Sequence, residues 1–274
     1  MELPMRLQKL TIGGFDALES IPERWMDFNN SRLKGLKNTS LSSVNYSFLE
    51  RLKLENSCDS LQSFPLNIFP NLKSIKLNGC RNLESVNVPQ QLELDLVALS
   101  IIKIKNYPNF VLFPNGGLRA PKHARFHVIN CHSLTSLPDK MHILNLSLWE
   151  LHLVQCLEVE LFPEGGLPSS LFSIYIIDCD RLVANRRGWG LQNLPSTEHI
   201  RIKGNCADVE SFPEASLLPT SLLRSMQEEG LPASISSLQI YQCALLGKQL
   251  QKKKGKAWRK IAHIPYKGLH AIWK

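Results

Sequence analysis

Apolar side chains recur along this chain in a fixed phase. In the stretch beginning at Leu72 they fall at Leu72, Ile75, Leu77, Leu83 and Val86, with Cys80 between them and polar residues or glycine at every other place. The same phase returns at Leu7, Leu10, Ile12, Phe15, Leu18 and Ile21, at Leu49, Leu52, Leu54, Cys58, Leu61 and Phe64, and at Leu99, Ile102, Ile104, Tyr107, Phe110 and Phe113. A further copy keeps Phe126, Val128, Cys131, Leu134 and Leu137, with His123 in place of its first apolar residue. Four more centre on Leu151, Ile174, Ile200 and Leu238. From Leu52 to Ile200 adjacent centres lie 23 to 27 residues apart. An alternation such as Leu151-His152-Leu153 predicts a short strand with one face inward. On the return path Pro65, Pro114, Pro138, Pro163 and Pro213 cannot sit inside helices, which predicts turns and extended segments there.

Written out, the unit is L-x-x-L-x-L-x-x-C-x-x-L-x-x-L, the pattern of a leucine-rich repeat. It predicts an α/β-type leucine-rich-repeat solenoid, with a parallel β-sheet on the concave face and mostly turns and short helices on the convex face. The solenoid is expected over 1–246, as about nine to eleven irregular repeats, followed by a basic tail or cap over 247–274. Two gaps are longer, from Leu10 to Leu52 and from Ile200 to Leu238. The first is read as hiding a degenerate copy around Leu33 and Leu36, the second as a unit that lost part of itself across Ser216 to Gly230. Both are candidates for local disorder or an insertion loop. The first repeat begins close to Met1 with no capping sequence before Leu7, so the chain reads as the tail of something longer.

Cys58, Cys80, Cys131, Cys156, Cys179, Cys206 and Cys243 all occupy one slot of the unit, just after the strand where the chain turns into the core. A small thiol is buried there at little cost. Equivalent residues on neighbouring rungs lie about 4.8 Å apart, near disulfide range. The odd count, the core-facing slot and the lack of any secretion signal favour seven reduced, structural thiols. Zinc spacings of the C-x-x-C or C-x-x-H kind do not occur.

The net charge of +8 is localised: Ala244 to Lys274 holds eight lysines and Arg259 with no acid, which leaves about −1 for the rest. The basic stretch with Trp258 is open to two readings. It could touch nucleic acid or an anionic membrane, or it could cap the last repeat, with Trp258, Ile261 and Ile264 covering an open core. The cap is favoured, and a nucleic-acid partner is not expected. No apolar run approaches the roughly 18 residues of a membrane span. A cytoplasmic protein is expected, with nuclear or membrane-associated placement as alternatives.

The phrase Gly230-Leu231-Pro232-Ala233, the run Ser237 to Ile240 with Cys243, Leu245 and Leu246, and the ending Trp258, Lys260, Ile261, Ala262, His263, Ile264, Pro265 together resemble the C-terminus of plant disease-resistance proteins of the coiled-coil, nucleotide-binding, leucine-rich-repeat class. Phe113-Pro114-Asn115-Gly116-Gly117-Leu118 and Phe162-Pro163-Glu164-Gly165-Gly166-Leu167-Pro168 are similar to inter-repeat segments of that family. The resemblance covers essentially the whole chain. It implies the protein-recognition and autoregulatory repeat region of an intracellular immune receptor. Its implied partners are a pathogen effector or a modified host protein, and the nucleotide-binding domain of the same or a related receptor. ADP or ATP would belong to that upstream domain, because no G-x-x-x-x-G-K-[ST] phosphate loop occurs here. Met141-His142-Ile143 is similar to the family's nucleotide-sensing M-H-D, but lacks the aspartate. The alternative is a stand-alone repeat protein or truncated paralogue.

In each strand the residue between the two inward apolar positions points outward. This places Thr11, Lys53, Lys76, Lys103, His127, His152, Tyr175, Arg201 and Gln239 in one column. Arg51, Ser74, Ile101, Arg125, Glu150, Ser173 and His199 flank it on one side. Glu55, Asn78, Lys105, Ile129, Val154, Ile177, Lys203 and Tyr241 flank it on the other. Like charges on adjacent strands repel, so three lysines on successive rungs suggest an acidic partner; equally, they could serve only to keep an open face soluble. The protein-binding candidates are Arg51, Lys53, Lys76, Lys103, Arg125, His127, Glu150, His152, Tyr175, Arg201 and Tyr241. No catalytic, cofactor-binding or metal-ligating residue is expected. His127 and His152 are expected neighbours, but their column offers no nucleophile, acid pair or third metal ligand.

Overall fold

The computed structural model describes residues 7–13, 47–56, 62–79, 82–87, 96–186, 189–204, 231–242 and 256–270. Its strands are β1 (Lys9–Gly13), β2 (Arg51–Glu55), β3 (Ser63–Pro65), β4 (Ser74–Asn78), β5 (Ser85–Asn87), β6 (Ile101–Lys105), β7 (Arg125–Ile129), β8 (Glu150–Val154), β9 (Ser173–Ile177), β10 (His199–Lys203), β11 (Ser237–Tyr241) and β12 (Tyr266–His270). β3 and β5 pair with each other, and the other ten form one parallel sheet in sequence order. This is the leucine-rich-repeat solenoid that the periodicity predicts. The helices among the described residues are short: α1 (Met141–Leu144), α2 (Asp180–Ala184) and α3 (Lys256–Ile261), with two 3-10 turns at Leu66–Ile68 and Leu191–Asn193. None is long and apolar enough to cross a membrane.

The strands are inserted into the core by alternation. In β6, Ile102 and Ile104 are buried while Ile101, Lys103 and Lys105 are only partly covered, and β2, β7, β8, β10 and β11 repeat the pattern at the same two places. Leu99, Tyr107, Phe110 and Phe113 complete that rung's core at 5% exposure or less. Each such side chain stabilises the rung by about 2 kcal/mol through burial. β3 and β5 align Phe64 with Val86 on the return side, where Pro65 predicts a turn or extended segment.

Two devices hold successive rungs together. The residue just after each strand carries a positive φ at Asn56, Gly79, Asn106, Asn130, Gln155, Asp178 and Gln242. The left-handed conformation turns the chain inward, and glycine and asparagine tolerate it best. Its amide donates to the next rung's last strand carbonyl, as from Asn56 to Asn78 O at 2.8 Å and from Asn130 to Val154 O at 2.8 Å. The second device is the cysteine slot. The Cys156 thiol donates to Val128 O of the preceding rung at 3.6 Å and to Val154 O at 3.7 Å, and Cys131 makes the same pair with Ile104 O and Ile129 O. Cys131, Cys156 and Cys179 are buried free thiols. Burial pushes the Cys131 thiol up to about 12. A hydrogen bond with Cys179 and burial push Cys156 up; Cys179, the other half of that pair, is drawn down by the same bond against the burial that raises it. Cys58, Cys80, Cys206 and Cys243 lie outside the described residues, as do Leu33, Leu36 and the stretch Ser216 to Gly230.

The main sheet includes one strand from the stretch 247–274. The boundary expected at 246 falls outside the described residues, but β12 pairs in parallel with β11 beyond it. No alternation announces β12, since Leu238 is matched there by Lys267 and Gln239 by Gly268. The Lys267 ammonium is held by the carbonyls of Ala262 and Ile264 and sits 5.4 Å from the centre of the Trp258 ring. This lysine therefore has backbone and aromatic partners in place of an acid. Ile261 and Ile264 are fully buried and Trp258 packs partly on the core.

Candidate functional site

The outward column forms as the alternation requires. Lys53, Lys76, Lys103, His127, His152, Tyr175, Arg201 and Gln239 are successive register partners. Their rigid spacing is that of parallel strands, about 4.8 Å per rung. The face divides into a cationic half and an aromatic and imidazole half.

In the cationic half the three lysines are not equivalent. Lys53 pairs with Glu55 at 2.7 Å on its own strand, so it is compensated. Lys76 is exposed. Lys103 is held below the usual lysine range, first by partial burial and then by repulsion from Lys105 and Lys76. An acidic group arriving here would meet Lys76, Lys103 and Lys105, with Lys53 already engaged. Beside them Asn130 donates to Asn106 and Asn106 to Asn78, each at 2.7 Å, an amide ladder that pins the flank.

In the second half the rings are stacked. The His127 and His152 imidazoles lie 4.2 Å apart and 8° from parallel, and Tyr175 tilts against His152 at 4.1 Å. Arg201 lies over the Tyr241 ring at 5.0 Å, and the Tyr241 hydroxyl donates to Gln239 Oε1 at 3.2 Å. Arg125 reaches Glu150 Oε2 at 3.5 Å. Arg51 starts β2 and is exposed. Ile129, Val154 and Ile177 are in register on the far flank, each half-buried.

Two features of this half escaped the column pattern. Trp149 and Phe172, the residues immediately before β8 and β9, stack at 5.2 Å and 8°, and Phe172 meets the edge of His199 at 4.9 Å. Trp149 is 44% exposed, a large apolar surface beside the column. The position preceding each strand is a third flank that the repeat register alone identifies. The other feature is a correction. The expectation that His127 and His152 lack a third metal ligand overlooked Glu150, which stands two residues before His152 on the same strand and so shares its face. Its Oε1 is 2.7 Å from His152 Nε2 and its Oε2 is 3.5 Å from His127 Nε2. The ligand atoms of all three residues lie within 4.8 Å of one another.

Met141, His142 and Ile143 form most of α1 inside the repeats, with Met141 completely buried in the core.

Comparison with known proteins places the chain among plant proteins. It is 35% identical over 254 aligned residues to a putative disease resistance protein of Arabidopsis thaliana, an alignment that covers 81% of this chain. It is 32% identical over 90 residues to the putative disease resistance RPP13-like protein 1 of the same plant. The chain spans 18% of the length of the first relative and 8% of the second. No protein-family profile matches it. No solved structure matches it either.

Proposed function

We propose that this leucine-rich-repeat chain, homologous to disease resistance proteins of Arabidopsis, is the recognition and autoregulatory repeat region of a plant immune receptor that acts inside the cell. The open face of the main sheet is its binding surface for protein, either a pathogen effector or a modified host protein. The carrying observation is the in-register column from Lys53 to Gln239, with its cationic and its aromatic half. Interfaces are enriched in aromatic side chains and arginine, and Trp149, Tyr175, Arg201 and Tyr241 supply both. Lys76, Lys103 and Lys105 favour an acidic patch on the partner. The role is one of binding and not of catalysis. The nucleotide-binding domain that such repeats restrain would belong to a longer protein or to a related receptor.

The test is cross-linking of the tagged chain to proteins of challenged leaf tissue. It compares the wild type with a Lys53→Glu, Lys76→Glu, Lys103→Glu variant and with a Lys122→Glu, Lys140→Glu variant altered at exposed turns away from the sheet. Partners lost only from the column variant support the proposal. An identical captured set for all three proteins overturns it.

A further inference from the structure

The His127, Glu150 and His152 cluster has features that protein recognition does not require. Two strands supply it: His127 from β7, and Glu150 with His152 from β8, whose register sets the two histidines directly side by side. All three side chains are largely covered, at 14%, 18% and 24% exposure. Both Nε2 atoms are buried without a hydrogen bond of acceptable alignment, even though the Glu150 oxygens are close. Two imidazole nitrogens and a carboxylate thus converge, the two nitrogens without a well-aligned hydrogen bond. A buried polar atom in that condition is costly unless something occupies the gap.

We propose that His127, Glu150 and His152 bind a zinc-class divalent cation on the open face of the sheet, with its remaining coordination positions open to water or to a side chain of a docked protein. Imidazole nitrogen with a carboxylate oxygen suits borderline transition ions and disfavours calcium or magnesium, which take all-oxygen sets. Zinc needs N and O ligands at about 2.0–2.2 Å around one point. Lys103, the register partner of His127, Lys105, whose charge also acts on His152, and Arg125, which reaches Glu150, are positive charges that a dication meets here. Glu150 offsets one of them. Tyr175 tilts against the His152 ring on one side of the cluster.

The experiment uses the full chain without a polyhistidine tag, stripped by chelator, titrated with Zn²⁺ in a calorimeter and with Co²⁺ by visible absorption. The expected result is one saturable site per chain and a Co²⁺ spectrum of a four- or five-coordinate nitrogen and oxygen site. His127→Asn and His152→Asn should each weaken binding on the order of 100-fold, and the isosteric Glu150→Gln on the order of tenfold, with far-UV circular dichroism unchanged. His132→Asn, at an exposed turn residue, should leave binding as it is. Absence of saturable Zn²⁺ binding by the wild type overturns the proposal. So does equal affinity in the wild type and in folded Glu150→Gln or His127→Asn protein.

Discussion

His123 is the place where the repeat breaks its own rule, and the break should be measurable as acid sensitivity. Its position is the first apolar slot of the unit, filled elsewhere by Leu49, Leu72, Leu99, Leu148 and Leu171, all 2% exposed or less. His123 is itself 1% exposed, with its ring edge against Phe126. Nε2 bonds Arg125 O at 3.1 Å, whereas Nδ1 has no partner. Protonation would therefore bury a cation with an unpaired N–H. Burial accordingly pushes this imidazole down from 6.5 to about 4. Because the folded value lies below the unfolded one, the contribution to stability is fully present above pH 6.5 and is lost as pH falls towards 4. The unfolded chain takes up the proton first, and a shift of about 2.5 units corresponds to about 3 kcal/mol. Between pH 7.5 and 4.5 roughly 2.5 kcal/mol of that should be lost. His123→Leu removes the titration while restoring the repeat's own residue. Urea unfolding followed by circular dichroism, for both proteins at both pH values, isolates the effect because every other titrating group is common to the pair. The loss between the two pH values should be smaller in the variant by about 2.5 kcal/mol. If wild type and variant lose the same stability on acidification, His123 is not held neutral in the core and the reasoning fails.

The Gly-Gly turn offers a test within two adjacent residues. Gly116 and Gly117 have nearly the same φ, +82° and +89°, but a Cβ on Gly116 meets nothing within 4 Å whereas one on Gly117 lies 2.1 Å from the backbone oxygen of Asp139. Gly116→Ala should cost about 1 kcal/mol by thermal denaturation and Gly117→Ala at least about twice that; equal costs would mean that conformation alone sets the requirement. The thiols give a second check. Cys131 and Cys156 are completely buried and their pKa values are raised, so iodoacetamide at pH 8 should leave both unmodified in native protein and alkylate both in urea, as mapped by peptide mass spectrometry.

What could be read from the residues follows from where the repeat constrains them. Leu52, Leu77, Phe126 and Ile202 are required by packing, and their phase predicts nine of the ten strands in the main sheet among the described residues. β12 was not legible because Lys267 takes an inward place and solves its burial with carbonyls and a tryptophan ring, interactions that no hydropathy pattern encodes. The left-handed position after each strand was legible in principle, since Asn56, Gly79, Asn106, Asn130 and Asp178 share one phase, immediately before the cysteine slot in every case but Asn56. At the candidate site the column was correctly aligned, while the pairing of Lys53 with Glu55 and of Arg201 with Tyr241 depends on side-chain torsions that register leaves free.

The misjudged histidines point to a general property of this architecture. Short-range motifs work in helices and hairpins because residues two to four apart share a site. In a parallel solenoid the sheet makes neighbours of residues one repeat apart, so His127 and His152 touch although 25 positions separate them, as do Trp149 and Phe172 at 23. A third group joins through the strand's own period of two, as Glu150 does. The spacing that reports a three-ligand site in such a chain is therefore H-x22-E-x-H, where the long interval is the repeat length less the strand offset. Because outward residues contribute little to packing, such constellations can be gained or lost on this face at almost no cost to the fold, while substitutions at the inward leucines are penalised at once. The physical separation of the two faces thus allows chemical diversity on a constant scaffold.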